Sequence, residues 1–220
     1  MKSLVIFDFD GTLADTSPGI FNSIRHASQT LGLPAISERQ MRSFIGPPLA
    51  SAYESNFGLS GQTLERAMQL HKQYGVESGF RELKFYGGIF ALLDELKDRG
   101  VKTAVATLKV QPTVDKIVKE FDCAKYFSLC RGADLAAPMT KAQMLQYCME
   151  SAGVCAEETV LVGDSRFDAE GAQQAGTDFI AVTYGFGFVR GGAIEQPHIA
   201  AADSVEELTA LLLNMCTVRN

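Results

Sequence analysis

The chain has 220 residues, 46% of them hydrophobic and 21% charged, with a formal net charge of −6. That is enough for one large domain, or a core with a small insertion. The acidic balance argues against a nucleic-acid polymer as partner, which would need a basic face, but leaves an anionic small molecule open because a few lysines can dominate a pocket.

Cys123, Cys130, Cys148, Cys155 and Cys216 are odd in number and contain no C-x-x-C pair. Reduced thiols in a cytoplasmic protein are expected, not a disulfide or zinc framework. His26, His71 and His198 are too scattered to suggest a metal cluster. The first apolar run is short and broken by Asp8, so no signal peptide is expected. No stretch approaches the ~18 apolar residues of a membrane span.

In chain order, Leu4-Val5-Ile6-Phe7 predicts a buried strand that ends at Asp8-Phe9-Asp10-Gly11. Asp8 and Asp10 are two apart and should share one small space beyond the strand. Two carboxylates that close repel unless a cation or a shared proton relieves them. The plainer reading is a strand that ends in solvated acids. After Leu13 the period becomes helical: one helix to about Leu31 with Gly32 as its stop, and a second opened by a Ser37–Gln40 capping box and ended by Gly46-Pro47-Pro48. Two more follow over Leu49–Phe57 and Gln62 to about Val76. No strand is predicted between Ala14 and Phe80. Arg42, beside Phe44-Ile45-Gly46-Pro47-Pro48-Leu49, is the residue of this block to watch, although a solvated surface arginine is the commoner identity.

Tyr86-Gly87-Gly88 reads as a hinge back to the sheet, followed by a helix with Ile89, Leu92, Leu93 and Leu96 on one face and Gly100 at its end. Val101–Ala106 predicts a second buried strand, with Thr107 at its carboxyl end and Lys109 close by. A helix over Pro112–Phe121 and a weaker strand over Tyr126–Cys130 come next. Thr140 and Gln143 form a capping-box spacing that puts Lys141 in the first turn of a helix, where a cation opposes the helix dipole. Thr159–Val162 predicts a strand, followed by Gly163 and by Asp164 and Asp168, four apart. Asp178–Val182 is a further strand, Tyr184–Gly192 a glycine-rich loop of unassigned role, and Ile199–Ala202 a short edge strand. A last helix is capped by Ser204–Glu207.

Asp8-Phe9-Asp10-Gly11-Thr12-Leu13 resembles the first motif of the haloacid dehalogenase superfamily of phosphohydrolases. Thr107 is similar to its second motif and Lys141 to its third, with Lys109 as the competing lysine. Gly163-Asp164-Ser165-Arg166-Phe167-Asp168 is similar to its fourth. Two positions depart from the similar families: Leu108 stands where they usually carry serine, and Ser165 where a basic residue is common.

The resemblance implies an α/β fold: a Rossmann-like parallel-sheet core over residues 1–14 and 84–220, and an inserted all-helical cap over residues 15–83. The Phe44–Leu49 stretch and the context of Lys141 look most like phosphoglycolate-phosphatase-like proteins, some of which are described as 5′-nucleotidases. It further implies an Mg²⁺-dependent phosphomonoester hydrolase working through an aspartyl-phosphate. Asp8 would be the nucleophile and Asp10 the proton shuttle. Asp8, the backbone carbonyl of Asp10, and Asp164 would hold the metal, supported by Asp168, while Thr107 and Lys141 bind the phosphoryl oxygens. The expected substrate is phosphoglycolate or another small phosphorylated metabolite, with 5′-nucleotidase activity as the alternative. A sugar phosphomutase would need a cap for which the sequence gives no support, and an inactive binding protein fits poorly with four motifs present. Monomer and dimer are both left open.

Overall fold

The protein is described by a computed structural model that covers residues 1–134, 137 and 139–216. Its strands are β1 (Leu4–Phe7), β2 (Ala14–Asp15), β3 (Lys84–Phe85), β4 (Lys102–Val110), β5 (Leu129–Ala133), β6 (Thr159–Gly163), β7 (Asp178–Val182) and β8 (Ala200–Ala202). The helices are α1 (Ser17–Leu31), α2 (Glu38–Arg42), α3 (Leu49–Phe57), α4 (Gly61–Glu77), α5 (Ile89–Asp98), α6 (Gln111–Glu120), α7 (Lys141–Ala152), α8 (Arg166–Ala175) and α9 (Val205–Met215).

Six strands form one parallel sheet in the order β5-β4-β1-β6-β7-β8. The motif strand β1 is central, and its apolar run is continuous because both faces are covered. Val5 and Phe7 pack with Leu92, Leu96, Leu208 and Leu212 of α5 and α9. Leu4 and Ile6 pack on the opposite face with Met144, Leu145, Ala169 and Ala172 of α7 and α8. Phe7 lies opposite Val105 of β4 and Val162 of β6, so the residues that follow all three strands emerge along one edge. This is the edge at which parallel sheets bind ligands.

Helices α1–α4 build a separate core from Phe21, Ile24, Phe44, Tyr53, Leu64 and Leu70. The stretch expected to lack strands does contain one: β2 pairs antiparallel with β3, Ala14 opposite Phe85. Two residues carry no readable period, and this ribbon exists only because the chain passes the same point on leaving and re-entering the sheet domain. Three boundaries also differ. The second helix stops at Arg42, short of Gly46-Pro47. The weak strand lies over Leu129–Ala133, with a short 3₁₀ turn at Ala124–Tyr126. Thr107 is inside β4, not at its end, because the strand runs on to Val110 through a register shift against β5 between Ala106 and Val110. Among the described residues no helix is long and apolar enough to cross a membrane.

Candidate active site

The turn after β1 is closed by backbone bonds: the Phe9 carbonyl accepts from Leu13 and Ala14 at 3.1 and 3.2 Å, and Gly11 N–H donates to the Ala14 carbonyl at 2.9 Å. Gly11 has φ +79°, and a Cβ there would lie 2.2 Å from Asp164 Oδ2, so only glycine fits. Asp8 is pinned to the neighbouring strand by its N–H, which donates to the Val162 carbonyl at 2.9 Å.

Lys141 ties the site together. Its ammonium reaches Asp8 Oδ1 and Asp168 Oδ1, each at 2.7 Å, and donates to the Ala106 carbonyl at 2.8 Å. These contacts occupy all three of its donors. The capping box between Thr140 and Gln143 sets the start of α7 beneath it. Gly171 of α8 makes room for its stem, since a Cβ there would stand 2.5 Å from Lys141 Cγ. Asp168 in turn caps its own helix, accepting the Ser165 hydroxyl at 2.6 Å and the Ser165 N–H at 3.1 Å on Oδ2. The opposition between cation and helix dipole is thus overridden by two carboxylates in contact.

Asp8, Asp164 and Asp168 are buried, and each offers a carboxylate oxygen within 4.8 Å of the others. Asp10 stands outside this group and pairs with Lys109 at 3.1 Å. Thr107 is buried beside them, its hydroxyl oxygen accepting from the Lys109 N–H at 3.2 Å. The two competing lysines therefore both reach the site, on different acids.

Burial pushes the Asp8 carboxyl up to about 7; Lys141 pulls it down, while Asp168 and Asp10 push it further up. Burial, then Asp168 and Asp8, holds Asp164 well above the usual carboxylate range. Burial alone would lower the Lys141 ammonium, but Asp168 and Asp8 outweigh it and the net shift is upward. Three crowded carboxylates face one ammonium, an imbalance that a divalent cation would cancel. The all-oxygen donor set suits a hard ion.

Asp164 has a further support that sequence reading missed. The loop after β7 folds over it, and the N–H groups of Phe186 and Gly187 donate to Oδ2 at 2.6 and 3.3 Å. Phe188 N–H donates to the Asp164 carbonyl at 2.8 Å. A Cβ on Gly187 would lie 2.6 Å from that carbonyl oxygen, and one on Gly185 2.4 Å from Oδ2. Glycines at alternate positions just beyond a strand end were the available signal of such a close approach.

These acids floor a chamber of about 210 Å³ between the sheet edge and α1–α4. Ile20, Phe44, Pro47, Pro48 and Leu49 line it from the helical side, with His71 and Lys72 of α4. Leu108, in the place of the usual serine, also lines it. Nothing in the sequence marked His71 or Lys72. Arg42 is not in the chamber; it is exposed, paired with Glu38 at 2.8 Å and set over the Phe21 ring.

A family model of haloacid dehalogenase-like hydrolases matches residues 5–182. The chain is 33% identical over 185 residues to the tyrosine-protein kinase PtkA of Mycobacterium tuberculosis, covering 84% of this chain and 63% of that one. It thus spans less than two thirds of that relative's length. It is 31% identical to a 5′-nucleotidase of Pseudomonas aeruginosa, with 83% of each chain covered. It is 32% identical over 215 residues to a phosphoglycolate phosphatase of Vibrio parahaemolyticus, with 93% of each covered. Among solved structures, a predicted phosphatase from Clostridium acetobutylicum superposes with a TM-score of 0.87 at 30% identity, over 97% of this chain and 99% of that one.

Proposed function

The chain belongs to the haloacid dehalogenase-like hydrolase family, and on that footing we propose that it hydrolyses small phosphomonoesters through an aspartyl-phosphate on Asp8. The observation that carries the reading is the placement of Asp8, pinned to β6 through its N–H and held at 2.7 Å by Lys141 where the chamber meets the sheet edge.

A carboxylate oxygen of Asp8 attacks phosphorus as the bond to the leaving oxygen breaks. Asp10, as the carboxylic acid, gives its proton to that oxygen. Asp10, now the carboxylate, removes a proton from water; the water oxygen forms the new bond to phosphorus and the Asp8–phosphorus bond breaks. Lys141 and the Thr107 hydroxyl stabilise the charge on the phosphoryl oxygens. Asp8, Asp164 and the Asp10 backbone carbonyl would hold Mg²⁺, with Asp168 in support. When bound, that ion offsets the charge of the acids and of the phosphate dianion.

The chamber supports a small metabolite: about 210 Å³ is below the ~300–1,000 Å³ of pockets that enclose drug-sized ligands. Phosphoglycolate is the leading substrate on that ground, and the relatives named for phosphoglycolate phosphatase and 5′-nucleotidase set the two readings to compare. The free thiols of all five cysteines support a cytoplasmic setting. The test is phosphate release from p-nitrophenyl phosphate, phosphoglycolate, nucleoside monophosphates and sugar phosphates with Mg²⁺. Phosphoglycolate should lead among the metabolites. A nucleotide exceeding it about tenfold in kcat/KM, ~1.4 kcal/mol, would replace this reading with a nucleotidase.

A further inference from the structure

His71 and Lys72 of α4 line the chamber but have no part in the reaction described above. The wall around them is otherwise largely apolar, from Ile20, Phe44, Pro47 and Leu49. His71 Nδ1 lies 3.2 Å from the Tyr53 hydroxyl. Tyr53 is fully buried, and burial raises its pKa, so the hydroxyl keeps its proton. No other acceptor for that proton occurs among the described residues. The hydroxyl therefore donates to Nδ1, and the ring carries its own proton on Nε2. Burial, then the ammonium groups of Lys109 and Lys72, holds His71 down to about 3. The ring offers a neutral N–H, not a charge.

The two lysines differ. Lys109 is tied to Asp10. Lys72 is half-buried and has no ion pair or hydrogen bond among the described residues. An ammonium partly withdrawn from water in a largely apolar wall is stabilised by an anion. The phosphoryl group belongs at the floor, with Asp8, Thr107 and Lys141. The anion suited to Lys72 is therefore on the other end of the substrate.

We propose that Lys72, assisted by His71, selects phosphomonoesters whose leaving group carries a carboxylate. This rests on the phosphatase reading and narrows its substrate class. One ammonium beside one neutral N–H matches the two oxygens of a monoanion. A second phosphate dianion would call for a larger set of donors. The carboxylate remains bound throughout, and no bond to it is made or broken.

The experiment compares wild type, Lys72→Met and Lys72→Arg with phosphoglycolate, ethyl phosphate and p-nitrophenyl phosphate, all with Mg²⁺. Ethyl phosphate has a two-carbon leaving group without the carboxylate. The quantity read is the ratio of kcat/KM for phosphoglycolate to that for ethyl phosphate, in which changes common to both substrates cancel. Wild type should favour phosphoglycolate. Lys72→Met should lower the ratio about tenfold, mainly through KM for phosphoglycolate, with p-nitrophenyl phosphate turnover within twofold of wild type. Lys72→Arg, which keeps the charge, should retain most of the ratio. The inference is overturned by no wild-type preference, by an unchanged ratio in Lys72→Met, or by equal falls in both variants; p-nitrophenyl phosphate turnover then leaves the phosphatase reading standing. If wild type releases phosphate from none of the three esters, the phosphatase reading fails and the inference falls with it.

Discussion

On the floor of the chamber, Asp8, Asp164 and Asp168 are buried, and each is held by a backbone N–H, a serine or Lys141. On the roof, Phe44 and Leu49 of a separate hydrophobic core present apolar surface together with Pro47, and His71 and Lys72, which has no ion pair among the described residues, are its polar points. The floor hangs on the register of three parallel strands, so moving one group there disturbs the others. A roof residue on α4 can change without moving a strand. The two regions suit a division in which reaction geometry is overdetermined below and substrate choice is set above.

The comparison breaks most sharply at Asp8 and Asp10. Asp8→Asn should lower turnover by ~10⁴-fold or more and form no phosphoenzyme, because the attacking oxygen is gone. Asp10→Asn should slow hydrolysis of the intermediate by ~10²–10⁴-fold and let it accumulate from an activated aryl phosphate. Mass spectrometry after rapid acid quench reads both. Labelling of the Asp8 variant alone would reverse the assignment, once deamidation of the asparagine is excluded.

Lys141→Met should be the most damaging floor change for stability. It leaves Asp8 and Asp168 buried without their cation, and breaking a buried pair costs about 3–5 kcal/mol. Denaturant unfolding in chelator measures the loss, and added Mg²⁺ should recover part of it. Full stability without metal would show that the acids are less crowded than they stand here.

Gly187→Ala tests the loop over Asp164. Its Cβ would lie 2.6 Å from the Asp164 carbonyl oxygen and 2.9 Å from Ser165 Cα, so the loop must retreat and weaken its hydrogen bonds to Oδ2. Metal affinity by titration calorimetry should fall ~10–100-fold, the usual cost of losing an outer support of a metal ligand. The melting of the metal-free protein should change much less.

A smaller effect is expected from pH. The Asp8 carboxyl is raised from 3.8 to about 7 by burial, and Asp164 is raised in the same sense. The folded metal-free protein therefore binds more protons than the unfolded chain between about pH 4 and 7. That stabilisation is full below pH 4 and lost as pH rises through 7. Melting in chelator should be higher at pH 5.5 than at pH 8 by at least ~2–4 °C, the shift of ~1 kcal/mol in a protein of this size. Saturating Mg²⁺ should flatten or invert the trend, since it binds the deprotonated acids. Least of all should follow from Arg42→Ala: its pair with Glu38 is exposed, worth ~0.3–0.5 kcal/mol, and kcat/KM should stay within twofold.

The sequence by itself determined the sheet and most of the floor. Leu4–Phe7, Val160–Val162 and Phe179–Val182 are apolar runs that read as buried strands, and the acids and Lys141 sit at fixed offsets from such a run or from a helix cap. Asp8 follows β1, Asp164 follows β6, and Thr140 with Gln143 sets Lys141 at the start of α7. Such signals are local, and local chemistry is legible in one dimension.

What only the tertiary structure decided depends on contacts between residues far apart in the chain. The ribbon of Ala14–Asp15 with Lys84–Phe85 and the closure of Gly185–Gly187 over Asp164 have no period of their own. Arg42 and Lys72 lie in the same helical block, yet one faces solvent and the other the chamber. A helical period tells which side of a helix is apolar but not what stands opposite its polar side. That is set by how α1–α4 pack on one another and over the sheet edge, through contacts made between helices and not along them.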